Sequence, residues 1–375
     1  MLDTLHRIHF AVAFFLFLLI ATAAFGQEAS KDPSRKPFQI CSLAAYDVDD
    51  YGGIIADGTV IFASLTGGRV GAIDFLTGEP LWTAELGGRA ASVPVAANGK
   101  VLAATSGALS GRVFALSATT GLTIWSSPLP PASRYFVYAT AAGVAVVSDH
   151  GEITVLRNVD GNIISKTASS GTLSIEPAAS PYALMIAAID GTFAINSVDG
   201  EVLFRRKLES PAAAGLLFGK SWAVYSDVTG RIYAMKTAGG RTIWKFKTGG
   251  KVSQLVMFRG NILASSADNF VYLLQAESGS VHWKVRLPGR IERLAVIDEH
   301  SIAATVIGEN QVFIIDAQKG RLVDSVNLPS DGRPLRVAPI GFVHRLAVAA
   351  TNGIAIFSPD CAAKIQTAGR RKPAI

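Results

Sequence analysis

The sequence predicts an all-β protein, an eight-bladed β-propeller of four-stranded blades. Three observations predict it. A strand–turn–Trp phrase recurs at nearly constant spacing. The apolar runs are short and unbroken. The frame left incomplete at the C-terminal end is completed by a segment near the N-terminus. Charged residues make up only 17% of the 375-residue chain and hydrophobic ones 49%, a balance that suits many short buried strands better than long surface helices.

The phrase is an apolar strand, a turn ending in Gly, and a Trp four residues after that Gly. It appears in full at Arg69–Asp74 with Gly78 and Trp82, and at Arg112–Ser117 with Gly121 and Trp125. It returns at Arg231–Lys236 with Gly240 and Trp244, and at Phe270–Gln275 with Gly279 and Trp283. Three further copies keep the frame without the Trp: Gly161 leads to Ser165, Gly200 to Phe204 and Gly320 to Asp324. The separations from Gly78 through Gly121, Gly161, Gly200, Gly240, Gly279 and Gly320 are 43, 40, 39, 40, 39 and 41 residues. A period of roughly forty residues is the size of one propeller blade.

Each element of a blade can be placed. In the second unit, strand A falls near Ser92–Ala97, B near Val101–Thr105, C at Arg112–Ser117 and D at Leu122–Ser127. The glycines close the C–D hairpin, where a positive φ is needed. Runs such as Val144–Val147 and Leu184–Ala188 do not alternate, so both faces of these strands are buried, as in a blade sandwiched between neighbours. Asp149, Asp190, Asp227 and Asp268 recur just after B strands and read as B–C turn residues. Trp82, Trp125, Phe204, Trp244 and Trp283 repeat in phase with the fold, so they read as blade-docking residues covering the gap to the next blade.

The ring closes through the chain ends. Ile354–Phe357 is an eighth C strand, and Cys361 stands at the turn-Gly position with no good D strand after it. Phe38–Leu43 lies in D-strand phase, 40 residues ahead of the first turn glycine, and is expected to complete blade eight. Cys41 and Cys361 then fall on adjacent strands and are expected to form a disulfide; two free buried thiols are the alternative.

Outside residues 38–363, which make up the propeller, residues 1–26 read as a signal peptide. Arg7 precedes an apolar run from Phe10 to Ala24, and Ala24-Phe25-Gly26 is a small-x-small cleavage site. A retained anchor is the alternative, but the run is short for a span. Residues 27–37 read as a flexible leader and 364–375 as a basic disordered tail. No cysteine directly follows the apolar run, so lipidation there is not expected. The net charge of +6 sits mostly in the tail, at Lys364, Arg370, Arg371 and Lys372, leaving about +1 for the propeller body. Nucleic-acid binding is therefore not indicated. No other apolar run is long enough to span a bilayer, and the chain is expected to be monomeric and periplasmic or secreted.

The segments GRVFALSATTGLTIW (Gly111–Trp125) and GRIYAMKTAGGRTIW (Gly230–Trp244) resemble the PQQ-type, quinoprotein-like propeller repeat. The resemblance covers the propeller and implies two kinds of function. One branch comprises dehydrogenases that bind pyrroloquinoline quinone with calcium, often beside a Cys-Cys pair, which this sequence lacks. The other is non-enzymatic and is typified by BamB-type accessories of outer-membrane protein assembly, which are lipoproteins. The leading expectation is a non-enzymatic exported scaffold for a protein partner in the cell envelope, without cofactor. A small quinoprotein oxidoreductase, with quinone and calcium, or a polysaccharide-binding propeller are the alternatives.

No residue pattern adds a catalytic or metal site. His150, His282, His300 and His344 fall in different units with no metal-ligand spacing. Asp47–Gly52 departs from a calcium loop at its fifth position, and Gly215–Ser221 is one residue short of a phosphate-binding loop and reads as a hairpin. Arg134-Tyr135-Phe136 and Arg286–Arg290 are expected to be exposed contact loops, because Arg and aromatics anchor interfaces.

Overall fold

A computed structural model describes residues 36–49, 52–168, 171–219 and 221–361. The stretches read as signal peptide and basic tail and the leader as far as Arg35 lie outside the described residues, as do Asp50 and Tyr51 of the calcium-like stretch and Lys220 of the Gly215–Ser221 segment.

The chain forms eight antiparallel sheets arranged as an eight-bladed propeller. Each runs from an inner strand A to an outer strand D. Blade five is representative, with strands Ala212–Phe218, Trp222–Asp227, Arg231–Lys236 and Thr242–Lys247. In blade eight the inner three strands come from the C-terminal end, Ile340–Phe342, Arg345–Ala350 and Gly353–Ser358, and the outer strand is Gln39–Ala44. The N-terminal strand therefore closes the ring as its phase requires, pairing Ile40 with Phe357 and Ser42 with Ile356.

The middle strands are buried on both faces. Every residue of Ser301–Val306, Arg345–Ala350 and Gly353–Ser358 is buried. Their apolar side chains fill the seams between blades: Val312 and Ile314 of blade seven, for example, share one cluster with Leu346, Val348 and Phe357 of blade eight. Outer strands instead alternate between half-buried and exposed positions, as in Pro80–Glu85 and Val202–Lys207. One face meets the next blade and the other meets water.

Blade two departs from the expected single strand A. Its inner strand is broken into Arg89–Ala90 and Val95–Ala97. Pro94 has no N–H to give the ladder. The buried Ser92 side chain takes over part of the pairing, its Oγ accepting from the Ala104 N–H at 2.8 Å while its carbonyl accepts from Ser64 Oγ at 2.9 Å.

The blade-docking aromatics have one recurring geometry. A bulge in each C–D pairing immediately precedes them, as between Ala72 and Ile73 opposite Trp82, and between Ala234 and Met235 opposite Trp244. Such bulges re-aim a side chain. Each ring then lies against the turn glycine of the following blade. A Cβ on Gly121 would come within 2.5 Å of Trp82, one on Gly161 within 2.5 Å of Trp125, and one on Gly240 within 2.3 Å of Phe204. Trp244 lies in the same way on Gly279, and Trp283 on Gly320. The indole N–H groups of Trp82, Trp125, Trp244 and Trp283 donate to Ala118, Asn158, Ala276 and Ala317 carbonyls at 2.8–3.0 Å, all in the turns they cover. Gly200 meets Thr167 instead of an aromatic, and Gly78 meets Ser42 of the closing strand.

Gly121 shows why these positions exclude a side chain. Its φ is +73°, a conformation that L residues rarely adopt, and the Trp82 ring fills the space of a Cβ. Gly121→Ala is expected to lower stability by about 1–3 kcal/mol. Chemical denaturation should show it as a lower midpoint with unchanged slope.

Three of the four B–C aspartates, Asp190, Asp227 and Asp268, act as turn acceptors. The buried Oδ1 of Asp149 has no hydrogen-bond partner among the described residues, and in its turn Ser148 Oγ accepts from the Glu152 N–H at 3.1 Å instead. Asp227 accepts from the Thr229 N–H and O–H, the Arg231 N–H and the Tyr233 O–H, at 2.7–3.0 Å. Asp268 does the same for the Phe270 N–H, the Gly249 N–H and the Tyr272 O–H. Asp227 is buried. That burial alone raises the carboxyl pKa, but the hydrogen bonds to the ionised form outweigh it and hold the group below its ordinary value. A depressed folded-state pKa adds stability above the unfolded-state pKa, and this is lost as pH falls through the folded value. Asp227→Asn should therefore cost about 1–3 kcal/mol at neutral pH. Urea unfolding of the two proteins should converge as the solution is made more acid.

Candidate functional site

The inner strands enclose a central channel, and the D–A connections with the first few residues of each strand A form one mouth. One homologous position per blade contributes to the wall: Gly53, Val93, Arg134, Glu176, Gly215, Gln254, Arg293 and Arg336. The cavity they enclose is about 580 Å³, within the range of ligand pockets. Gly215, with φ +56°, lets blade five approach blade six, since a Cβ there would lie 2.6 Å from that of Leu255.

The polar groups of the channel are unevenly shared. Arg134 of blade three approaches Glu176 of blade four at 3.9 Å and lies over the Phe136 ring. Glu176 keeps 59% of its side-chain surface accessible to the lumen, yet the ring of blades surrounds it. That confinement raises its pKa, and Arg134 and Arg293 only partly offset it. Tyr138, whose O–H donates to the Pro177 carbonyl at 2.6 Å, is also raised, by burial first. Arg293 is held in the wall, its Nε donating to the Arg336 carbonyl at 3.0 Å and its Nη1 to the Glu292 carbonyl at 3.4 Å. Gln254 clamps blade six to blade seven, its Oε1 accepting from the Leu294 N–H at 2.7 Å. A smaller cavity of about 320 Å³ at the rim adds Lys251, Arg290 and Glu292.

The contact loops expected from sequence need correction. Tyr135 and Phe136 are only 1% and 8% exposed and belong to the strand Tyr135–Thr140. Both aromatics face neighbouring blades, so the segment is core and Arg134 alone reaches the channel. In Arg286–Arg290, Leu287 is buried and Arg290 stands at the channel rim. Arg293, Arg336, Lys251 and Glu176 carried no local motif and were not singled out by the sequence.

The histidines do not converge on the channel. His150 lies beside Asp149, and His282 faces Asn261. His300 and His344 meet on the opposite side, in a cavity of about 540 Å³ between blades seven and eight that also holds Asp298, Asp316 and Asp360. His344 Nδ1 lies 2.6 Å from Asp298 Oδ2. Among the described residues, no group of three His, Cys, Asp or Glu side chains is placed to hold a metal ion. A calcium ion asks for six to eight oxygen ligands, and Glu176 is the single carboxylate in the described channel wall, facing arginines. These residues do not fit a calcium–quinone site in the channel. Cys41 and Cys361 are joined by a disulfide across 320 residues of sequence. Among the described residues no helix is long and apolar enough to cross a membrane.

Fold and channel together define a closed repeat propeller that presents a rigid ring with a charged mouth. The chain belongs to the family described as outer membrane protein assembly factor BamB, whose model matches residues 26–133, 109–229 and 228–358. It is 24% identical over 240 residues to the outer membrane protein assembly factor BamB of Yersinia pestis, a match covering 59% of this chain and 60% of that relative's length. The fold is similar to that of BamB from Moraxella catarrhalis, with TM-score 0.66 and 17% identity over 86% of this chain and 97% of that one. It is also similar in fold to the computationally designed Ika8 protein, with TM-score 0.71 and 14% identity over 85% of this chain and 98% of that one.

Proposed function

We propose that this protein is a non-enzymatic scaffold of the cell envelope that binds a protein partner as an accessory in outer-membrane protein assembly. The observation that carries the reading is the family match, which runs through the whole ring in three overlapping stretches. The structure supports a scaffold role in a second way. Three of the four Asp groups that repeat through the blades, Asp190, Asp227 and Asp268, are occupied as turn acceptors, and the channel polar groups are mainly guanidiniums. A rigid ring with loops at its mouths suits recognition of another protein with little reordering on binding. The apolar N-terminal run supports export, and the proposal puts the protein in the periplasm, with secretion as the alternative.

Deletion of the gene tests the reading. The amount of β-barrel protein folded into the outer membrane should fall, and the full chain supplied in trans should restore it. Unchanged barrel content in the deletion strain contradicts the reading. Dye-linked alcohol oxidation on adding pyrroloquinoline quinone and calcium would replace it with the oxidoreductase alternative.

A further inference from the structure

The propeller body carries a net charge of only about +1, yet one part of it is strongly basic. Lys251, Arg290, Arg293 and Arg336 meet at the channel rim formed by blades six, seven and eight, against a single carboxylate, Glu292. Arg293 is fixed in the wall by its two hydrogen bonds to backbone carbonyls. The side chains of Lys251, Arg290 and Arg336 have neither an ion-pair nor a hydrogen-bond partner among the described residues. Clustered like charges repel one another, and within this rim only Glu292 and the two backbone hydrogen bonds of Arg293 offset that repulsion.

We propose that this mouth binds an acidic, extended peptide segment of a protein partner, with carboxylates seated on Arg290, Arg293 and Arg336. The inference rests on the scaffold reading and specifies where and by what chemistry the partner is held. Guanidinium groups suit carboxylates through paired, charge-assisted hydrogen bonds. Behind the rim the lumen offers apolar wall at Val93, Leu255 and Val337, which suits apolar side chains between the acidic ones. Glu176, at the homologous position of blade four, repels carboxylates from its side of the mouth, so the acidic groups gather on the side of Arg290, Arg293 and Arg336. A flat lipid surface would not reach Arg293, which is recessed in a concave wall, whereas a single extended chain would.

Calorimetric titration of the purified full chain with a short peptide of alternating Glu and Leu tests the proposal. The peptide should bind saturably, and more weakly as salt is raised. Arg290→Ala with Arg336→Ala should lower its affinity about tenfold or more. Thermal unfolding of the variant should be unchanged, because both side chains are exposed and the Arg336 carbonyl that accepts from Arg293 remains. Equal binding of a Lys–Leu peptide, unchanged affinity in the double variant, or binding only to phosphatidylglycerol vesicles overturns the proposal. Such a failure is separate from failure of the scaffold reading, which is read from the barrel content of the deletion strain.

Discussion

Replacing Cys41 and Cys361 together with serine is expected to destabilise the protein by about 2–5 kcal/mol. The disulfide joins the first strand of the propeller to the end of its last repeat, 320 residues away. Bonds that close long loops restrict the unfolded chain most. This seam also needs the bond more than others do. At the ring closure the blade-docking position is Ser42, not an aromatic, and its Oγ is buried without a hydrogen-bond partner. At the preceding seam the position is Asp324, which accepts the Phe38 N–H at 2.8 Å. The exposed Lys36–Asp360 ion pair nearby adds little. Thermal and urea unfolding of the oxidised protein and the double variant should differ by this amount. Hydrogen exchange should place the first loss of protection in Gln39–Ala44. Equal stability would mean that strand pairing alone secures the closure.

Trp244→Ala is expected to cost about 3–5 kcal/mol, the range for removal of a large buried aromatic. Trp244 is 9% exposed, lies on Gly279 of blade six and donates to the Ala276 carbonyl at 2.8 Å. The substitution removes that apolar contact and leaves the carbonyl without its donor. Blades contact mainly their neighbours, so the loss should be local, with amide protection falling most in blades five and six. A Trp244→Phe variant should recover much of the stability, since it keeps a ring on the glycine and loses only the N–H. A loss spread evenly over the ring would contradict the seam-by-seam account.

The ring was legible in the sequence because its signals repeat. The turn glycines, the aromatics four residues later and the aspartates after strand B each occur in several blades, so chance matches cancel and the frame can be extended to Phe38 and Cys361. What does not repeat was not legible. The break in strand A of blade two depends on Pro94 and on the Ser92 side chain, and the inner strands of blades one, four and eight are interrupted differently, by lone bridges at Val48, Leu173 and Pro334. The bulge that aims each Trp has no residue signature of its own. Tyr135 and Phe136 read as interface anchors because their neighbour Arg134 is charged, yet the packing of blade three buries both rings. The channel residues were hidden for a different reason. Arg134, Glu176, Arg293 and Arg336 are single residues on separate blades, brought together only by ring closure. Carrying the glycine frame forward into the D–A connections would have aligned them, because all stand in that connection or within the first three residues of strand A.

The most direct test of the account is crosslinking in the living host, followed by purification of the protein and identification of what is attached. The account predicts recovery of components of the outer-membrane β-barrel assembly machinery, lost or reduced when Arg290 and Arg336 are both replaced. Reproducible recovery of the protein with no envelope partner would contradict it.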